Sequence, residues 1–132
     1  MPNLSFRHVA AVAVVLSLPA AAALAAAADY GLALVSTTYP VGAGAVLEVR
    51  LTDIRTAAPV EGAVIFATRM DMAPDGMETM TSPVVVLPST EPGLYRFSTD
   101  LVMAGNWRFS VAAKVPGEAE TVQADIVIAA QP

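Results

Sequence analysis

Cysteine is missing from all 132 residues, and histidine occurs once, as His8. Without cysteine there is no disulfide framework, no thiolate metal site and no thiol nucleophile. His8 precedes an apolar run that reads as a leader, so the mature chain has no imidazole base and triad chemistry has nothing to work with. No G-x-S-x-G turn and no glycine-rich phosphate loop is found either. Basic residues are few: seven Lys and Arg stand against 12 Asp and Glu, for a net charge of −5. No basic patch exists to neutralise phosphates, which excludes nucleic acid as a partner and disfavours adhesion to anionic lipid. Aromatics make up only 6% of the chain, and strand parity points them inward, which disfavours a carbohydrate-binding surface. The chain is therefore not expected to be an enzyme.

Apolar residues are abundant, at 55%, and many lie in the first third. After a short, weakly positive start, Val9 to Leu18 form a run long enough for a signal-peptide core. Pro19 breaks the run and an alanine tract follows, with Ala26 and Ala28 satisfying an A-x-A cleavage rule before Asp29. Residues 1–28 are expected to be a signal peptide, and 29–132 one domain. The alternative is an uncleaved anchor, since residues 9–28 are just long enough to span a bilayer. Either way the domain is expected outside the cytoplasm: periplasmic or otherwise secreted, or held at the inner membrane by residues 9–28.

From Tyr30 onward, short alternating stretches are separated by turn residues. Leu47, Val49 and Leu51 alternate with Glu48, Arg50 and Thr52; Trp107, Phe109, Val111 and Ala113 alternate with Arg108, Ser110 and Lys114. Val122, Ala124, Ile126 and Ile128 follow the same rule near the C-terminus. Clean alternation means one packed face and one wet face. About seven strands at turn-separated intervals read as an all-β, immunoglobulin-like antiparallel sandwich. With no disulfide to clamp the sheets, Phe66, Tyr95, Phe97, Trp107 and Phe109 are expected to fill the core. Met103, four residues before Trp107, is expected to be buried at the sandwich end.

Four of the six methionines fall between Met70 and Met80, around Pro74-Asp75-Gly76. This turn chemistry places Gly76 in the left-handed region of a hairpin loop. If the loop has three residues, Met70 faces Met80 and Met72 shares their face. If it has two, Met72 faces Met77, with Met70 on the same side. Three thioethers on one face suit copper(I), a soft cation that prefers sulfur, so Met70, Met72, Met77 and Met80 are candidate ligands. The same residues also suit core filling, or an adaptable surface for a partner protein. Asp71, Asp75 and Glu78 lack the spacing of an EF-hand and are expected to be solvated turn carboxylates, with Asp75 capping the turn. Arg108 and Lys114 read as ordinary outward residues.

Gly93-Leu94-Tyr95, then Leu101-Val102-Met103-Ala104-Gly105-Asn106-Trp107, with Ala63-Val64-Ile65 leading into the methionine segment, resembles the FixH and YtkA-like family. The resemblance implies a small extracytoplasmic immunoglobulin-like domain. It also implies partners among membrane proteins of copper or heavy-metal efflux, or of haem-copper oxidase assembly. On this basis the chain is expected to be a non-enzymatic periplasmic domain that binds or passes copper(I). The alternative is a metal-free interaction module of a membrane-associated complex.

Overall fold

The computed structural model describes residues 27–132. The leader expectation lies outside the described residues except for its last two positions, and Ala27–Asp29 form one 3₁₀ turn. Nine strands follow: β1 (Tyr30–Leu34), β2 (Thr38–Pro40), β3 (Gly42–Asp53), β4 (Val64–Met72), β5 (Met77–Ser82), β6 (Val84–Leu87), β7 (Leu94–Leu101), β8 (Gly105–Lys114) and β9 (Thr121–Gln131). They form a four-stranded sheet in the order β1-β3-β7-β6 and a five-stranded sheet in the order β2-β9-β8-β4-β5.

This is the immunoglobulin arrangement, with β1, β3, β7 and β6 as strands A, B, E and D. Strands β9, β8, β4 and β5 take the places of G, F, C and C′. Two strands more than expected arise from particular residues. The first segment breaks at Ser36, whose hydroxyl bonds the Thr38 backbone, and sends β2 across to pair parallel with β9. The methionine segment supplies β5, and Pro83 then turns the chain into β6 on the other sheet. That corner is held by Ser82 Oγ donating to Asp100 O at 2.5 Å and Thr99 Oγ1 donating to Pro83 O at 2.8 Å.

The alternating residues fill the space between the sheets. Leu47, Val49, Met70, Met72, Phe97, Leu101, Trp107, Phe109 and Ile128 are buried together. Phe97 and Phe109 meet across the sheets, with ring centroids 5.2 Å apart and planes tilted by 60°. Trp107 Nε1 donates to Met103 O at 3.1 Å, so its polar edge is satisfied although the ring is fully buried. Tyr95 pins the long β3–β4 connection: its hydroxyl donates to Val60 O and receives the Ala63 N–H.

One expected core residue is outside. Phe66 is 56% exposed. Ile65 pairs with Ala113 and Ala67 with Ala112, so Phe66 is the extra residue of a β-bulge. A bulge shifts strand parity by one residue. Met70 and Met72 therefore point inward while Val64 and Phe66, of the same apparent parity, point out.

The strand directions define two ends. Met72, the Ala73–Asp75 turn, the start of β8 and the C-terminal end of β9 lie at one. Tyr30 pairs with Asp53 at the other, where Tyr30 Oη also donates to Glu118 at 2.7 Å. The domain is thus entered from the end opposite the methionine loop.

Candidate functional site

The methionine loop grows out of β4. Met70, Asp71 and Met72 are all fully buried, but in two environments: the methionines join the core, while Asp71 points to the outer face of the five-stranded sheet. Ala73–Asp75 make a single 3₁₀ turn, with Pro74 supplying a pre-set backbone angle. Gly76 closes it at φ 74°, in the left-handed region as expected, with its N–H donating to Ala73 O.

The strand register differs from both regular alternatives. Met72 pairs with Met77, as in the shorter loop, but Asp71 pairs with Thr81 and Met70 with Ser82. Glu78, Thr79 and Met80 are therefore extra residues on β5, and Met80 does not face Met70. Met77 and Met80 are each 36% exposed. Met72 and its partner Met77 share a face with Met70, as the shorter loop implies, but the four candidate ligands divide by burial: Met70 and Met72 lie in the core, while Met77 and Met80 are half-exposed at the edge. Met103 is also half-exposed, at 37%, rather than buried. It lies in the β7–β8 turn, beside Gly105.

Gly105 explains how these elements meet. A β-carbon at this position would lie 2.5 Å from Asp75 Oδ2 and 2.7 Å from Met72 Cε. Glycine is required for close approach and also for its φ of 140°. Next to it, Asn106 donates its backbone N–H to Asp75 Oδ2 at 2.8 Å and its side-chain amide to Asp75 Oδ1 at 3.1 Å. These bonds hold the Asp75 carboxyl below the usual carboxylate range. Asp75 thus ties the loop to β8 instead of capping its own turn.

Asp71 is the second tie, and it is not a solvated turn carboxylate. Its Oδ2 accepts from Arg69 Nε at 2.6 Å and Arg108 Nη2 at 2.8 Å; its Oδ1 accepts the Ala73 N–H at 2.9 Å. Burial works against the charge, but the bonds from Arg108, Ala73 and Arg69 outweigh it and bring the carboxyl down to about 2. The same contacts raise Arg108 above its ordinary value, against the effect of burial. Arg69 Nη2 also donates to Glu78 O at 2.9 Å, bracing the β5 bulge. Strand parity carried the signal for this cluster, since Arg69 and Asp71 share a face two residues apart. Reaching Arg108 needed the β4–β8 register.

Among the described residues, no three His, Cys, Asp or Glu side chains come together in a geometry that would hold a metal ion. The end of the sandwich therefore offers a braced loop that presents Met77 and Met80, and a β7–β8 turn that presents Val102 (61% exposed) and Met103. The profile of the YtkA-like family matches residues 24–112. The chain belongs to the YtkA-like family. No curated protein matches this YtkA-like chain. Among solved structures, one titled "ZirS C-terminal Domain" is similar at 14% identity and a TM-score of 0.47, covering 100% of this chain and 88% of that one. The Gly105-Asn106-Trp107 run that carried the family resemblance now has a physical basis in this YtkA-like domain. Gly105 admits Met72 and Asp75, Asn106 holds Asp75, and Trp107 fills the core.

Proposed function

We propose that this YtkA-like domain is a non-enzymatic extracytoplasmic module that docks on a protein of a membrane-associated complex through its methionine-bearing end. One observation carries the reading: the structure buries Met70 and Met72 in the core but leaves Met77, Met80 and Met103 half-exposed on a braced loop and turn. Methionine is a flexible, polarisable side chain that adapts to a partner surface, and exposed apolar groups clustered at one end mark interaction sites. The loop is held by Asp71 and Asp75, so binding does not have to order it first, which limits the entropic cost of association. Residues 1–28 precede the opposite end of the sandwich, so an anchor there would leave the methionine end directed away from its attachment. Family membership favours a membrane partner from a metal-efflux or oxidase-assembly system.

The test is co-purification from the native envelope. The full chain with Met77, Met80 and Met103 changed to Gln should stay folded and lose a membrane partner that the wild type retains. Equal recovery by both chains would refute the reading.

A second reading keeps copper(I). Of the candidate ligands Met70, Met72, Met77 and Met80, the first two are fully buried among core side chains. Met77, Met80 and Met103 remain as reachable thioethers of the soft kind copper(I) prefers. An anaerobic copper(I) titration separates the readings. Stoichiometric binding lost on changing these three residues to Leu, and kept on changing Met70 and Met72, would favour the metal.

A further inference from the structure

The outer face of the five-stranded sheet carries a trough that is separate from the methionine end. Directly opposed residues on neighbouring antiparallel strands share a face. Ala67, Ala112 and Gln123 form one such row, and Arg69, Ser110 and Asp125 the next. The floor is made of small side chains, and Arg69 and Asp125 stand on either side of Ser110, two strand spacings or roughly 10 Å apart. Phe66, thrown outward by the β-bulge, closes one end with a 56% exposed ring. The trough is open to solvent, with a volume of about 260 Å³.

We propose that this trough binds a neutral carbohydrate unit. Its apolar C–H face would stack on Phe66, and its hydroxyls would bond to Ser110, Gln123 and Asp125. Three observations support this ligand class. First, the bulge sets a large apolar ring at the end of an open, largely apolar trough that also carries polar side chains, so a C–H face and hydroxyls could both be met there. Second, Ser110 and Gln123 have no side-chain hydrogen-bond partner among the described residues, so their donors and acceptors are free for a ligand. Third, the charge is nearly balanced. In the lining itself Arg69 is matched by Asp125, and next to it Arg108 faces Asp71 and Glu78. Neither an anion nor a cation gains strongly there, whereas a polyhydroxyl ring uses groups of both hydrogen-bonding senses. The volume lies just below the ~300 Å³ of the smallest drug-sized pockets and suits a single sugar ring.

The test is an array of neutral oligosaccharides ending in glucose, galactose, mannose or N-acetylglucosamine, followed by calorimetric titration of the full chain with the best of them. Saturable binding is expected, with a loss of about tenfold or more in Phe66→Ala. Gln123→Ala should also weaken it, while the Met77, Met80 and Met103 substitutions should not. Because Phe66 and Gln123 are exposed, both variants should keep the wild-type circular dichroism spectrum and melting midpoint. Three results would overturn the proposal: no saturable binding to any neutral sugar at millimolar concentration, binding unchanged in Phe66→Ala, or tighter binding of sialylated or uronic-acid glycans than of neutral ones.

Discussion

Asp75 and Asn106 are 31 residues apart in sequence, yet the carboxylate of one receives both the backbone and the side-chain N–H groups of the other. This pair couples the methionine loop to the start of β8, and Gly105 provides the space it needs. Replacing Gly105 with Ala would press a methyl against Asp75 Oδ2 and Met72 Cε in a backbone conformation that disfavours any side chain. A loss of about 1–3 kcal/mol is expected from overpacking and strain. Urea unfolding checks it, and amide resonances of Met72 to Met77 should shift more than those at the opposite end.

Asp71 makes stability depend on acid pH. Its folded-state value of about 2 lies below the ~3.9 of an unfolded aspartate. Its ionised form therefore stabilises the fold fully above about pH 4, and that contribution disappears as pH falls toward 2. In Asp71→Asn the two guanidiniums lose their shared anion. Breaking a buried pair costs about 3–5 kcal/mol, but Arg69 and Arg108 keep 52% and 32% of their side-chain surface exposed, so about 2–3 kcal/mol is expected. The variant should also show a flatter melting-midpoint profile between pH 4 and 2 than the wild type.

The methionines should separate by chemistry. Hydrogen peroxide should oxidise Met77, Met80 and Met103 well before Met70 and Met72, because sulfoxidation follows exposure. Peptide mass spectrometry reads this directly. Likewise Met72→Ala should cost about 2–5 kcal/mol, and Met77→Gln should stay within about 0.5 kcal/mol of wild type.

The phenylalanines should separate too. Phe109, packed on Phe97 between the sheets, should cost about 3–5 kcal/mol when cut to Ala. Phe66→Ala should be near neutral, within about 0.5 kcal/mol, because the ring already faces solvent. Thermal or denaturant unfolding of the two variants makes the comparison.

Much of the sandwich was legible because alternation reports burial wherever a strand is regular. Leu47, Val49 and Leu51, and Trp107, Phe109 and Val111, occupy the faces their parity implied. The reading failed where one residue was added to a strand. At Phe66 a bulge inverted the parity of everything before it, and on β5 Glu78 to Met80 displaced Met80 from Met70. Bulges of this kind depend on cross-strand pairing, which a single strand's pattern does not contain. Pro74 and Gly76 announced the turn, since their backbone preferences are local. Asp71 and Asp75 were read as solvated because their partners, Arg108 and Asn106, lie on another strand. The turn at the candidate site was therefore legible along the chain, while the division of its methionines into buried and exposed sulfurs required the register.

The central claim is that the methionine-bearing end is the docking surface, and site-specific photo-cross-linking in the native envelope tests it most directly. A photoreactive residue at position 77, 80 or 103 should give one discrete adduct with a membrane protein. The same residue at 114 or 117, at the opposite end, should give none. Adducts only from the opposite end, or equal adducts from both ends, would contradict the account.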